Sequence, residues 1–168
     1  MQAAKKKAAA APAGGESAAL AAIEKAGGTV RPVAQNDERR EVSFYLQGAS
    51  VKDADIAAVA KLSKVVFLHL GNTSLTDAGL ASVKGLLDLE TLHLEKTKIT
   101  DAGLAHLKGL SKLQYLNLFG TAVTDAGLEH LKGLTALKSL YVFETKVTDA
   151  GIAGLRKALP GCNVVKGW

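Results

Sequence analysis

Two histidines and a glutamate stand at a spacing that could hold a metal ion. His93 follows His69 by 24 residues, and Glu95 comes two residues later. Two imidazoles and one carboxylate are a known ligand set for divalent transition metals. The same side chains also suit polar contacts with a protein partner, and histidines would make such contacts sensitive to pH. We favour the partner-contact interpretation and predict no bound metal and no cofactor.

Other residues with possible chemistry recur at the same spacing but have simpler explanations. Four aspartates open nearly identical segments, where the aspartate or the threonine before it caps a helix, with no catalytic or calcium-binding role. Four basic residues could follow a phosphate backbone, but we interpret them as a solvated helix face. These two sets are Asp77, Asp101, Asp125 and Asp149, and Lys84, Lys108, Lys132 and Arg156. The chain has no Gly-rich phosphate loop, HExxH or GxSxG motif, so we predict that it is not an enzyme.

The common spacing arises because the chain repeats itself. The segments "TDAGLASVKGL", "TDAGLAHLKGL", "TDAGLEHLKGL" and "TDAGIAGLRKAL" begin at Thr76, Thr100, Thr124 and Thr148, 24 residues apart each time. A fixed period of this length predicts a solenoid, in which each unit buries its apolar side against a copy of itself.

Each repeat is predicted to contain one strand and one short helix. In "LETLHLEKTKITDAGLAHLKGLSK" (89–112) the first leucines alternate with polar residues, as in a half-buried strand, and the spacing then becomes helical. Three columns of small residues are predicted to shape the coil. The alanines of "DAGL" occupy the tight contact between coils, the glycines of "KGL" adopt a left-handed conformation, and the threonines after the strand bond the next coil. They are Ala78, Ala102, Ala126 and Ala150; Gly85, Gly109 and Gly133; and Thr73, Thr97, Thr121 and Thr145.

The pattern "LxxLxLxxTxxTDAGLxxLKGL" closely resembles the leucine-rich repeat in its bacterial TDAGL-type variant, over about residues 41–160. The resemblance implies a right-handed α/β solenoid with a concave parallel β-sheet and short convex helices. It also implies binding of protein partners, export in many bacterial members, and no catalytic residues. The first residues have a basic cluster but no apolar block, which is a poor match to a signal peptide, so we assign no compartment.

We divide the chain into four parts. Residues 1–15 are an Ala/Lys/Pro/Gly tail that we predict to be disordered, and residues 16–40 are an N-terminal cap of a helix and an edge strand. Five repeats occupy residues 41–160, and residues 161–168 form a C-terminal cap strand. The single cysteine, Cys162, excludes an internal disulfide and a cysteine-based zinc site.

The outward strand positions predict three columns of side chains across the concave sheet. These are Ser43, Phe67, Thr91, Tyr115 and Ser139; Tyr45, His69, His93, Asn117 and Tyr141; and Gln47, Gly71, Glu95, Phe119 and Phe143. Six of the seven phenylalanines and tyrosines fall in them, while Phe44 and Leu46 are predicted to point inward. Contiguous exposed aromatics mark a binding face, although strand propensity alone also favours them. We predict a protein or peptide partner bound by Tyr45, Phe67, His69, His93, Glu95, Tyr115, Asn117, Phe119, Tyr141 and Phe143.

Charge and hydropathy exclude several classes of partner. The net charge is +5, but Lys5, Lys6 and Lys7 supply three of these charges, so we predict no nucleic-acid partner. No apolar run approaches the roughly 20 residues that span a bilayer, so we predict no membrane span. We also expect the chain to be a monomer. Two other functions stay open: a structural or targeting appendage that acts as a spacer, and an enzyme with a His–Glu metal centre.

Overall fold

The computed structural model describes residues 14–167, which form one seven-stranded sheet with helical segments between successive strands. The strands are β1 (Thr29–Pro32), β2 (Arg40–Ser43), β3 (Val65–His69), β4 (Thr91–His93), β5 (Tyr115–Asn117), β6 (Ser139–Tyr141) and β7 (Asn163–Val165). The α-helices are α1 (Gly14–Lys25), α2 (Asp53–Ile56), α3 (Asp77–Leu80), α4 (Asp101–Leu104), α5 (Asp125–Leu128) and α6 (Asp149–Ala158). Segments of 3₁₀-helix cover Tyr45–Ser50, Ala57–Lys61, Ala81–Val83, Ala105–Leu107 and Glu129–Leu131.

The strands are stacked in chain order, which is the order of a solenoid. β1 is antiparallel to β2, and every later neighbour is parallel. Parallel neighbours in chain order require the chain to return through the helical side after each strand. The predicted α/β solenoid is therefore confirmed. Most of the predicted tail lies outside the described residues.

The inward side chains of all coils form one aliphatic core. In the third repeat Leu92, Leu94 and Ile99 come from the strand side and Leu104 and Leu107 from the helical side, and all are fully buried. Each such side chain contributes roughly 1.5–3 kcal/mol when it leaves water. A single coil has no second layer to cover these residues, so each coil depends on its neighbours for burial.

The aspartate of each "DAGL" segment bridges two coils. Asp101 Oδ1 accepts a hydrogen bond from the Thr124 backbone amide and Oδ2 accepts one from the Thr124 hydroxyl, both at 2.7 Å. The same pair of bonds joins Asp53 to Thr76, Asp77 to Thr100 and Asp125 to Thr148. We call this arrangement the Asp–Thr clamp. Of the two predicted caps, the aspartate is wrong for Asp77, Asp101 and Asp125, whose carboxylates bond the next coil. The threonine caps α4, α5 and α6 but not α3; the Thr124 hydroxyl, for example, accepts from Ala126 N.

The clamp explains why each "DAGL" segment has a glycine two residues after its aspartate. A Cβ atom on Gly127 would lie 2.4 Å from Asp101 Oδ1, and one on Gly103 would lie 2.3 Å from Asp77 Oδ1. The alanine between the aspartate and the glycine of each segment is exposed, as Ala102 is. The predicted tight contact at the alanine column is therefore wrong, and the glycine column makes it.

Each turn after a strand contains one residue in the left-handed conformation. This column is Gly48, Asn72, Lys96, Gly120 and Glu144, with φ from 53° to 66°. Gly85, Gly109 and Gly133 have no positive φ, so their predicted role is wrong. The threonines of the turn bond within their own coil, as Thr97 does by donating to Leu94 O at 2.7 Å. The predicted bond to the next coil is therefore also wrong.

The first repeat is offset by two residues from the 24-residue alignment. Val42 lies beside Leu68 and Ser43 beside His69, so Ser43 does not start the Phe67 column. The additional residues form the 3₁₀ segment that begins at Tyr45. Phe44 is buried as predicted, but Leu46 is 85% exposed, because the segment turns it out of the core.

Helix α1 covers the open end of the first coil. Ile23 is buried in the core, and the Glu16 carboxylate accepts hydrogen bonds from the Ser63 amide and hydroxyl and pairs with Arg40. The Ser63 amide and the Arg40 guanidinium hold the pKa of Glu16 below its usual value.

The other end of the solenoid closes with α6 and β7. Cys162 is buried between them, and this burial raises the pKa of its thiol. Within residues 14–167 there is no helix long and apolar enough to cross a membrane.

Breaking one clamp should destabilise the whole stack. We expect Asp101→Ala to lower the free energy of unfolding by about 1–3 kcal/mol, because both Thr124 donors lose their acceptor. Gly127→Ala should also be destabilising, but less so when Asp101 is already alanine, since the clash is with its carboxylate. Urea unfolding of the two single variants and the double variant measures this coupling. Ala102→Ser, at an exposed neighbouring site, is the control, and additive costs would contradict the clamp.

The clamp also predicts a pH dependence. Hydrogen bonds from the Thr148 hydroxyl and amide hold the pKa of Asp125 below its usual 3.8. A carboxyl with a lowered folded-state pKa adds stability above its unfolded-state pKa and loses it as pH falls through the folded-state value. The stability difference between wild type and Asp125→Asn should therefore shrink once the pH falls below 3.8. Urea unfolding across pH tests this, with Asp149→Asn, whose side chain is 91% exposed, as the control of smaller effect.

Candidate functional site

The register of strands β3 to β6 aligns the predicted surface columns. Phe67, Thr91, Tyr115 and Ser139 lie side by side, as do His69, His93, Asn117 and Tyr141. Gly71, Glu95, Phe119 and Phe143 follow two residues later on each coil. Strand neighbours are about 4.8 Å apart, close enough for rings in one column to touch. We call the surface formed by these three columns the concave face.

A continuous row of rings crosses the concave face. Its centroid distances are 4.7 Å for Tyr45–His69, 4.4 Å for His69–His93, 4.9 Å for His93–Tyr115 and 5.3 Å for Tyr115–Tyr141. We call it the ring strip. Phe67 packs beside it, 5.4 Å from His93. Tyr45 reaches the strip from the 3₁₀ segment instead of a strand and is half exposed.

A second aromatic pair lies at the edge of the concave face. Phe119 and Phe143 stack at 5.5 Å, and the Lys96 ammonium lies 5.2 Å from the centre of the Phe119 ring. Such a contact between a cation and a ring is attractive. Sequence reasoning missed Lys96. The sequence marks the position of Lys96 only as a left-handed turn, because glycine occupies the same repeat position at Gly48 and Gly120.

His69, His93 and Glu95 meet in the middle of the concave face. His69 Nε2 is 3.3 Å from Glu95 Oε1, and His93 Nδ1 is 3.4 Å from Glu95 Oε2. The Gly71 amide donates to His69 Nδ1 at 3.2 Å, which assigns the proton of the neutral ring to Nε2. Glu95 Oε2 is closed to solvent and has no partner of good hydrogen-bond geometry among the described residues. We call these three side chains the His–Glu cluster.

The missing side chain of Gly71 makes room for the cluster. A Cβ atom there would lie 2.4 Å from Glu95 Oε1 and 2.9 Å from His69 Cε1. The Glu95 side chain therefore extends across the sheet towards strand β3, where it meets His69.

Burial and charge set the protonation of the cluster. Burial lowers the pKa of His69 below its usual 6.5; the Glu95 carboxylate opposes this shift and His93 adds to it. Burial also opposes ionisation of Glu95, but the close His93 imidazole, the backbone amide and the His69 ring together hold its pKa below 4.5. Burial raises the pKa of Tyr115. At neutral pH the cluster thus combines a carboxylate with an uncharged His69.

All ten predicted partner-binding residues lie on or beside the concave face. Asn117 is anchored there, since its side-chain oxygen accepts from the Phe119 amide at 3.0 Å. Gln47, predicted to start a column, lies instead against Gly27. A recess of about 640 Å³ lies elsewhere, beside residues 34–39, and its charged lining pairs internally, as Lys112 does with Asp88.

Removing the ring that covers His69 should change its pKa. We expect Tyr45→Ala to raise the pKa of His69 towards 6.5, because the imidazole becomes more hydrated. A proton NMR titration of the imidazole resonances measures the shift. Tyr141→Ala, which removes a ring at the far end of the strip, should leave the pKa of His69 unchanged. An equal shift in both variants would contradict burial by Tyr45.

Comparisons with known proteins agree with this architecture. The family model described as "Leucine rich repeat" matches residues 63–123. Internalin C2 of Listeria monocytogenes is 31% identical with a TM-score of 0.56, over 65% of this chain and 44% of its own. The internalin InlF of the same organism is 26% identical with a TM-score of 0.57, over 67% of this chain and 31% of its own. No curated protein sequence matches.

The chain spans less than half the length of either internalin. The likeness therefore concerns the repeats, and it agrees with the strand order and the aliphatic core described above. Residues 63–123 match the leucine-rich-repeat family model, and the coils of the chain are similar to those of bacterial internalins.

Proposed function

We propose that this chain is a non-enzymatic module that binds a protein or peptide through its concave face. Leucine-rich-repeat proteins commonly mediate protein–protein interaction and are generally non-enzymatic. The observation that carries the proposal is the ring strip, in which aromatic and imidazole rings contact one another across the exposed side of the sheet. Large contiguous aromatic surfaces of this kind are typical of binding sites.

The rings are well suited to act as anchors. Tyrosine is enriched among the residues that dominate binding energy, because it buries a large area and retains a polar end. Phe67, Tyr115 and Tyr141 are half-buried and already held by neighbouring rings. They therefore lose little side-chain entropy when a partner covers them.

Polar groups inside the aromatic surface would select the partner. His69 and His93 are part of the ring strip, Asn117 lies in their column, and Glu95 lies in the same column as Phe119 and Phe143. A partner that covers them without supplying matching donors and acceptors would leave buried polar groups unpaired, which costs about 1–3 kcal/mol each. Such a penalty favours partners with complementary groups at this point.

A spacer or targeting appendage is the alternative function. A spacer needs the stacked coils but not the ring strip, so it tolerates changes on the concave face. This difference separates the two functions experimentally.

The test compares three baits that differ only at the surface. These are wild type, the variant Phe67→Ser/Tyr115→Ser/Phe119→Ser/Tyr141→Ser, and Leu87→Ser, which changes a 58% exposed apolar side chain in the turn before β4. Captured proteins from lysate and medium of the source cells are identified by mass spectrometry, and circular dichroism checks that each bait folds. We expect one protein to be held by wild type and Leu87→Ser but lost by the concave-face variant, with affinity lower by at least about tenfold.

Identical capture by the three folded baits would contradict the proposal and favour the spacer. Capture lost only with Leu87→Ser would move the binding site to the turn before β4. The purified partner can then be titrated against each bait to measure the loss in affinity directly.

A further inference from the structure

We propose that the His–Glu cluster binds one divalent transition-metal ion, such as Zn²⁺, through His69, His93 and Glu95. This inference goes beyond the proposed partner binding and does not depend on it. It also departs from the absence of metal expected from sequence, because the fold brings His69 to His93 and Glu95 on the next coil.

The donor set has the right chemistry. Two imidazole nitrogens and one carboxylate oxygen suit Zn²⁺ and its neighbours in the first transition row, whereas Mg²⁺ and Ca²⁺ prefer oxygen alone. Within residues 14–167 these three side chains are the one group of three or more histidine, cysteine or acidic residues close enough to share an ion.

The distances are close to those of a metal site. Two atoms that bind one Zn²⁺ at about 2.0–2.2 Å in tetrahedral geometry are about 3.3–3.5 Å apart. The separations of 3.3 Å for His69 and 3.4 Å for His93 have this length, although each involves a different oxygen of Glu95. One ligand atom from each residue can be chosen so that all three lie within 4.8 Å of one another, and rotation of the side chains would bring them to the distances of a metal site.

The cluster also has an unmet need for a positive partner. Glu95 Oε2 is closed to solvent and makes no hydrogen bond of good geometry to any described residue. The nearest donor, His93 Nδ1, is 3.4 Å away, so a bound cation would compensate the burial of this oxygen more fully than the imidazole does. The three side chains are only 13–19% exposed, which admits an ion more readily than a partner's side chain.

One local movement is required. The two imidazole planes are 5° apart and stacked, and a nitrogen lone pair lies in its ring plane, so at least one ring must turn to share an ion. Turning His69 gives up the hydrogen bond from the Gly71 amide, and the proton on Nε2 must then move to Nδ1 if Nε2 binds the ion. Tyr45, the ring that covers His69, is half exposed and leaves room for this movement.

The test is a calorimetric titration of the chelator-treated chain with Zn²⁺ alone. We expect one equivalent to bind to wild type and affinity to fall by at least about tenfold in His93→Ala and in Glu95→Gln. His106→Ala/His130→Ala is the matched control, because these two histidines are also 24 residues apart but lie on the helical side. Gly71→Ala keeps all three donors but pushes the Glu95 carboxylate from His69, so it should also bind more weakly.

A second measurement needs no substitution. Co²⁺, which is paramagnetic, should broaden the imidazole NMR signals of His69 and His93 but not those of His106 and His130. The proposal is overturned if wild type binds no Zn²⁺, if His93→Ala, Glu95→Gln or Gly71→Ala binds as tightly as wild type, or if the His106/His130 variant loses the ion. Partner binding is tested separately with the four-serine variant, which retains all three metal donors. Failure of the metal proposal therefore leaves the partner-binding proposal unaffected.

Discussion

The hydrogen bonds between the aspartate of one coil and the threonine of the next hold this molecule in register. Asp101 and Thr124 are 23 residues apart, and both oxygens of the carboxylate are used. The clamp fixes how far each coil is displaced from the previous one, and the glycine beside it lets the coils approach. Strand register follows from that displacement, the three surface columns follow from the register, and the contact between His69 and His93 follows from the columns.

Much of the architecture could be predicted because its rules are local. Alternation within "LxxLxL" and a constant period are enough to align β3 to β6. The same reasoning gave the wrong register for β2, because the apolar alternation of "EVSFYL" fits the repeat in two registers. What decides between them is a tertiary contact: Phe44 is buried where its ring packs near Gly28 and Ile23. No repeat pattern contains that information.

The membership of the site was easier to predict than its arrangement. Column positions place Glu95 near the two histidines, but whether its side chain folds back or reaches outward depends on the empty space above Gly71. The aspartates present the same difficulty, because a carboxylate at a helix start can cap that helix or bridge to another coil. In both cases the backbone allows two orientations of the carboxylate side chain, and the space left by a glycine on a neighbouring coil determines which one is adopted.

The constant spacing of the clamps has a consequence for how the chain folds. Each clamp joins residues 23 positions apart, whichever coils it connects, so the loop that must close for each new coil has the same entropy cost. Folding can then nucleate on a few adjacent coils and propagate outward, as in a one-dimensional chain of interacting units. Growth ends at the two caps, because α1 covers the first coil and α6 and β7 close the last one. A longer array of the same coils would fold by repeating the same elementary step.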